Sequence, residues 1–431
     1  MLTMHLIKRL MLLLAVMAVF TVLVSGPAAA ADDSSGSTLP ELIREALRNN
    51  PGLLAARGEA EAASNRPGSV SGYPDPRLSY SHFVESIETR LGPQSDLLQL
   101  VQPVPFPGKL SLKGEIASQE TGILEDRAEK SELFVIRKIK EEYYTISGAD
   151  EVLILLEREK EVLENIREVT QTRLEAGREY QHNLLKVEVE LLKISEKRVE
   201  YSERKSSAVS EVMGLLNRPP ENGLKIKTGF GKLPDEAVLE SIISTSVNHP
   251  SLRFREGMVE KERMKLNLTR KKYLPDFSLG AGYRWIGESP MEIEDSGRDA
   301  WNISVGLTLP VWFGSIKSEV AERRGMVRVM ELKYMAERTE QIRRIEVLRN
   351  KYRAAREIVQ LYREELIPRA GQALESAREG YMSGKLGFID ILDSERLLIN
   401  LRIKLAEKKA AAFRYLAVLE EVSGSALIPE D

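Results

Sequence analysis

Asp276-Phe277-Ser278-Leu279-Gly280-Ala281-Gly282-Tyr283-Arg284-Trp285 alternates without a break: Phe277, Leu279, Ala281, Tyr283 and Trp285 fall on one face of an extended chain, and Asp276, Ser278, Gly280, Gly282 and Arg284 on the other. Successive side chains of a strand point to opposite faces, so this segment reads as a two-faced strand. The next extended segment repeats the pattern, with Trp301, Ile303, Val305, Leu307 and Leu309 opposing Asn302, Ser304, Gly306 and Thr308. In a soluble sandwich the apolar face would pack on a second layer, and nothing else in the chain supplies one. An apolar outer face over a small, polar inner face is the pattern of a membrane β-barrel. Tyr283, Trp285 and Trp301 gather near the loop end, where they would form an aromatic girdle, although single aromatics are more often simply buried. An earlier pair, Leu78 to Val84 and Leu97 to Phe106, fits less cleanly because Phe83 and Leu97 break the phase.

Four strands cannot close a barrel, and open edges cannot face lipid, so the protomer needs copies of itself. Two, three or four copies would give about 8, 12 or 16 strands, and barrel geometry alone does not choose among them.

Around the strands the chain repeats itself. Ala46-Leu47-Arg48-Asn49-Asn50-Pro51 is echoed by Val247-Asn248-His249-Pro250, and Pro74-Asp75-Pro76-Arg77-Leu78 by Pro275-Asp276-Phe277-Ser278-Leu279. Pro103-Val104-Pro105-Phe106-Pro107-Gly108-Lys109 returns as Pro310-Val311-Trp312-Phe313-Gly314-Ser315, and Leu174-Glu175-Ala176-Gly177 as Tyr381-Met382-Ser383-Gly384. The echoes keep their order at roughly 200 residues, far above a solenoid period, so this is one duplicated architecture. Each half reads helix, two strands, long helix, turn, helix. Between Pro107 and Gly177 there is no proline, and Leu133, Ile136, Ile139, Tyr143 and Ile146 recur at helical spacing; the matching stretch from Ser315 to Gly380 carries only Pro368. Some 65 residues of helix would be about 100 Å long, more than a compact domain accommodates. Taken alone, such charge-rich helices also fit a solvated coiled coil.

Composition narrows the classes. The chain has 431 residues, 42% hydrophobic and 29% charged, which is too apolar for wholesale disorder. Its net charge of -3 provides no global basic field for nucleic acid. The absence of cysteine excludes disulfides, zinc-thiolate sites, iron-sulfur clusters, cysteine catalysis and a lipidated N-terminal cysteine. His5, His82, His182 and His249 are far apart, with no pair at metal-ligand spacing. At the N-terminus, Lys8 and Arg9 precede the apolar run Leu10 to Val24 and the small residues Ala28 to Ala31, which describes a secretory signal peptide. The expected organisation is a signal peptide over 1–31, a linker over 32–38, a first repeat over 39–232, a second over 233–424 and a tail over 425–431.

The duplicated plan, the Asn-Pro and His-Pro openings, the strand pairs and the Gly-bounded helical hairpins resemble the TolC-type outer membrane efflux channel family over essentially the whole mature chain. The resemblance implies a mainly α protein with membrane β. In that family, homotrimers build a 12-stranded outer-membrane barrel from four strands per protomer, with long α-helical hairpins forming a periplasmic tunnel. The tunnel docks on a periplasmic adaptor and an inner-membrane transporter. Gln102 to Lys109 is similar to the strand-to-helix junction of the heavy-metal branch, whose pumps belong to the resistance-nodulation-division class. The junction residues are Pro105, Pro107 and Gly108, with Pro310 and Gly314 in the second repeat; any abrupt strand-to-helix exit also favours Pro and Gly.

The hairpin tip matches the family position by position. A Tyr-x-x-Gly turn followed by an acidic helix start, Phe388-Ile389-Asp390-Ile391-Leu392-Asp393, implies that Tyr381, Asp390 and Asp393 line the periplasmic aperture. Three residues apart on a helix, the two carboxylates share one face, and three copies would concentrate negative charge and favour cations. The plainer alternative is that Asp390 is only a charge at a helix N-terminus. The arginine some members carry near this turn is replaced by Leu386, beside Lys385, and the first repeat has His182 and Asn183 at the equivalent place. Gly177, Gly384 and Lys385 mark the turns expected to meet the adaptor and pump.

Other motifs dissolve. Gly380 to Leu386 is too short for a phosphate loop and lacks Ser or Thr after Lys385. Met326, Met330 and Met335 suit helix packing better than soft-metal ligation. No catalytic, cofactor or metal site is expected, and the chain is not expected to be an enzyme. The leading reading is a passive outer-membrane channel subunit of a tripartite efflux system, for heavy metals or drugs, with outer-membrane lipid around the barrel and no nucleic-acid partner. The alternatives are a type I protein secretion channel and an exported coiled-coil scaffold.

Overall fold

The computed structural model describes residues 36–291 and 294–425. The expected signal peptide, most of the linker and nearly all of the tail lie outside the described residues. The linker's end is pinned: Ser37 forms a parallel bridge with Ile226, donating to the Lys225 carbonyl at 2.9 Å and accepting from the Lys227 N–H at 3.0 Å.

Helices α1 (Leu39–Asn49), α2 (Pro51–Ser64) and α3 (Arg66–Ser71) lead into strands β1 (Arg77–Thr89) and β2 (Gly92–Val104). Helix α4 (Lys109–Glu175) follows for 67 residues, and α5 (Gln181–Leu215) returns beside it. The second half repeats this order with α6 (Glu236–Ser244), α7 (Pro250–Arg270), β3 (Asp276–Ile286), β4 (Ala300–Thr308) and α8 (Phe313–Leu361). A π-helical turn, Tyr362–Leu366, then precedes α9 (Ile367–Met382), and α10 (Phe388–Ser423) completes the hairpin. Pro368, which has no N–H to give the preceding turn, sits just after that π turn, so the widened turn absorbs the break without ending the helix.

The Asn-Pro and His-Pro echoes have one physical role. Asn50 Oδ1 accepts from the Leu53 N–H at 3.0 Å at the start of α2, while its Nδ2 donates to the Leu215 carbonyl at the end of α5. His249 Nδ1 accepts from the Ser251 N–H at 3.0 Å at the start of α7, and its Nε2 reaches the Glu421 carbonyl near the end of α10 at 2.9 Å. Each residue satisfies an orphan N–H of one helix and a terminal carbonyl of another.

The four strands form one antiparallel sheet in the order β1-β2-β3-β4. Its two outer strands, β1 and β4, have no further strand partner among the described residues. The phase break noted in the first pair is real and local. The register shifts between His82 and Ile87 on β1, where Phe83 lies, and between Gln94 and Asp96 on β2, so bulges displace the alternation there, whereas Leu97 is regularly paired with Ser81 and Arg284 and stands on the face opposite Leu98. The first hairpin is also longer than the sequence pattern suggests, because the bulges hide its loop-proximal half.

The hydrophobic core is divided along the length. One cluster joins α1, α4 and α5 through Leu42, Ile43, Ile139 and Val212, and a second joins α6, α8 and α10 through Leu239, Tyr352 and Leu419. A third, with Leu156, Val187 and Leu392, binds the lower parts of α4 and α5 to α10. The two halves are therefore packed on each other, and the buried ion pair Lys140–Glu420 crosses between them.

Candidate functional site: a two-faced sheet and paired hairpin tips

Register decides which side chains share a face of the sheet. Phe277 opposes Val104 and Leu307, Leu279 opposes Val305, Ala281 opposes Leu100 and Ile303, and Tyr283 opposes Leu98 and Trp301. One surface is thus mainly apolar across β2, β3 and β4, interrupted on β2 by Gln102 opposite Leu279 and Asp96 opposite Trp285, and Leu78 and Tyr80 continue it on β1. The opposite surface carries Ser79, Gln99, Ser278, Gly280, Gly282, Asn302, Ser304 and Gly306, with Leu97, Val101 and Pro103 of β2 and Arg284 of β3 among them. Its glycines leave room for the side chains opposite: a Cβ on Gly280 would displace the Ser304 hydroxyl, and one on Gly282 the Asn302 side-chain oxygen at 2.6 Å. Polar side chains lie over facing glycines, which keeps this surface thin.

Tyr283, Trp285 and Trp301 all lie on the apolar surface near the loops. Tyr283 and Trp285 meet edge to face at 4.9 Å, and the Tyr283 hydroxyl donates to Asp299 at 2.6 Å. A second aromatic set, absent from the sequence reading, sits at the other end of the strands. Tyr73, Tyr273, Trp312 and Phe313 are exposed there, with Tyr273 and Phe313 stacked at 6.2 Å. These residues fall in helix-end and junction segments, where no alternation marks them.

The two junctions differ. Gly108 adopts φ 82° immediately before α4, a left-handed conformation costly for other residues. Asp276 Oδ1 accepts from the Phe106 N–H at 2.7 Å and from Lys109 Nζ at 2.8 Å, so the start of β3 clamps the turn that Pro105 and Pro107 shape. At the second junction Gly314 lies inside the first turn of α8, with open space where a Cβ would stand, so it does not repeat the Gly108 turn; Pro310 lies between β4 and α8.

At the far end of the helices both hairpins close with the same turn. Gly177 has φ 70° and Gly384 φ 72°. Arg178 and Lys385 donate their N–H groups to the Arg173 and Gly380 carbonyls, each at 2.8 Å. Lys385 is exposed at the tip. Asp390 and Asp393 are both exposed and share a side of α10, as their spacing requires. They are also engaged within the protomer: Asp390 Oδ2 accepts from the Gly387 N–H at 2.8 Å, a helix-start role, and Asp393 pairs with Arg396 at 3.2 Å.

Three residues the sequence reading missed connect the tips. Arg173 of α4 donates to the Tyr381 hydroxyl at 2.5 Å, and Arg396 of α10 donates to Glu190 of α5 at 2.6 Å. Arg173 thereby supplies a cation at a turn where Leu386 stands in place of the family's arginine. Each contact joins residues some two hundred positions apart, so no local spacing could reveal it.

A sequence model of the family described as "Outer membrane efflux protein" matches residues 42–218 and 243–425. The chain is 20% identical over 387 residues to the cobalt-zinc-cadmium resistance protein CzcC of Cupriavidus metallidurans, covering 90% of each. Among solved structures it resembles the outer membrane protein VceC of Vibrio cholerae, with a TM-score of 0.75 at 18% identity over 90% of this chain and 96% of that one. It also resembles the outer membrane channel CmeC of Campylobacter jejuni, with a TM-score of 0.70 at 17% identity over 91% and 87%.

Proposed function

The chain belongs to the outer membrane efflux protein family, and from that premise we propose that three copies of it form the outer-membrane duct of a tripartite efflux system. The observation that carries this reading is the sheet: four strands, two open edges, one mainly apolar surface, and an opposite surface that is Gly, Ser and Asn along most of β3 and β4 and mixed along β2. Open edges in lipid leave backbone groups unsatisfied at several kcal/mol each, so closure with neighbouring protomers is the low-energy outcome. Three copies supply twelve strands around an interior lined mostly by small or polar residues, wide enough for solute. An exported scaffold has no use for such a sheet.

The helices then extend about 100 Å from the barrel into the periplasm, long enough to bring the Gly177 and Gly384 turns to an adaptor and an inner-membrane pump. The duct is passive, and cargo choice lies with the pump. Likeness to a cobalt-zinc-cadmium resistance protein over nine-tenths of both chains supports a metal-exporting pump of the resistance-nodulation-division class over a drug or protein exporter. The test is mass measurement in mild detergent followed by insertion into planar bilayers. A mass near three chains with ion conductance is expected; a stable monomer that does not conduct would overturn the proposal.

A further inference from the structure

Glu159, in the lower half of α4, is buried at 6% exposure and has no hydrogen bond or ion pair among the described residues. Its side chain lines a cavity of about 280 Å³ between α4, α5 and α10. Of the other charges on that cavity, Glu190 holds Lys193 at 2.9 Å and Arg396 at 2.6 Å, Lys197 donates to Asn400 at 2.9 Å, and Glu196 is exposed at its rim. Glu395 of α10, also buried at 6%, is the carboxylate that acts most strongly on Glu159. Its Oε2 makes no hydrogen bond, and Arg378 of α9 stands 3.5 Å away. The charges that act on Glu159 are Glu395 and Arg402 from α10, Arg378 from α9 and Lys197 from α5, and its cavity is shared with Glu190, Lys193 and Glu196 of α5 and Arg396 of α10.

We propose that Glu159 and Glu395 form a proton-operated latch that holds the first helical hairpin against the second when Glu159 is protonated and loosens that contact when both carboxylates ionise. A buried carboxylate without a donor is costly when charged, and a second carboxylate beside it adds repulsion. Burial, then Glu395, push Glu159 up to about 7, against the opposing pull of Arg402, Arg378 and Lys197. Burial raises Glu395 as well. Because the folded chain binds this proton more tightly than the unfolded one, the latched packing is favoured in acid. It weakens as pH rises through the folded value, in the window from the ordinary 4.5 up to about 7. The proton exchanges with bulk water through the cavity. The latch is distinct from the exposed aspartates of the tip, which are not buried and carry their own donors.

The experiment is amide hydrogen exchange on the full chain in mild detergent, corrected for intrinsic rates, from about pH 6 to about pH 8. Segments 152–163 and 388–403 should lose about tenfold or more of their protection over that range, while 109–123 near the sheet stays level. Glu159→Gln should hold both segments at the protected, acid-like level throughout, and Glu395→Gln should move the midpoint down by about one pH unit. A wild-type profile that is flat, or one that Glu159→Gln leaves unchanged, would overturn the latch. Should Glu159→Gln fail to fold, the midpoint of Glu395→Gln decides alone. None of these readouts requires conductance, so the latch and the channel reading fail separately.

Discussion

The Arg173 guanidinium donates to the Tyr381 hydroxyl at 2.5 Å and its carbon stands 4.8 Å above the centre of the same ring. Two kinds of attraction therefore act between the tips of the hairpins, a charge-assisted hydrogen bond and a cation–π contact. Tyr381 also meets Phe388 edge to face at 6.4 Å, which ties the contact to the start of α10. If this contact helps keep the aperture closed, the two attractions can be removed in sequence. Tyr381→Phe deletes the hydrogen bond and keeps the ring, and Arg173→Ala deletes both. Conductance in planar bilayers should rise with Tyr381→Phe and rise further with Arg173→Ala. Equal conductance in all three would show that the contact does not restrain the tip.

The aspartates make a separate prediction. Asn at position 390 can still accept from the Gly387 N–H, so Asp390→Asn combined with Asp393→Asn removes charge while keeping the helix start. In a trimer this deletes up to six charges, and cation selectivity and block by multivalent cations should fall while trimer mass persists. Selectivity that stays put would leave Asp390 as a helix-start charge and Asp393 as the partner of Arg396.

Lys140 and Glu420 face each other across the two halves at 3% and 5% exposure. Lys140→Met leaves a carboxylate buried without its cation and should cost about 3–5 kcal/mol. Lys140→Met with Glu420→Leu should recover most of that loss, because the unpaired charge goes with its partner. Thermal unfolding in detergent reads both, and a double variant as unstable as the single one would contradict this account.

A side chain at Gly280 would collide with Ser304 on the polar surface of the sheet. Gly280→Val should therefore impair membrane insertion, while Gly280→Val with Ser304→Gly should restore it, since space is exchanged between facing strands. Fractionation of membranes, with heat-modifiable mobility as the readout of folding, measures both. Normal insertion of the single variant would mean the facing strand yields more readily than its packing implies.

His249 accepts one N–H and reaches one carbonyl, so the imidazole is neutral, and burial holds it below its ordinary value. A proton on Nδ1 would abolish the acceptor at the start of α7. The contribution is present above the ordinary value near 6.5 and is lost as pH falls through the lowered one. Asn50 does the same job in the first half without titrating, so His249→Asn should keep neutral-pH stability and lessen the loss in acid. Unfolding midpoints at about pH 7 and about pH 5 test this; an equal acid loss in both proteins would assign it elsewhere.

The sequence alone determined the secondary structure and its faces. Alternation from Asp276 to Trp285 and from Trp301 to Leu309 set two strands and their apolar side, because the pleat gives side chains a period of two. Apolar-periodic stretches, free of proline in the first half and carrying only Pro368 in the second, set the long helices, and Gly177 and Gly384 set where they turn, because a left-handed residue ends a helix locally. The tertiary structure decided what those faces meet. The bulges near His82 and Gln94 arise from pairing, the Arg173–Tyr381 and Arg396–Glu190 contacts join distant segments, and Glu159 is buried because α5 and α10 close around it. The helices carry many carboxylates at similar spacing, and a helical period reports which side of a helix a carboxylate occupies. Whether that side receives an arginine, another carboxylate or water depends on where the second half of the chain packs, and that is fixed by non-local burial rather than by neighbours in sequence.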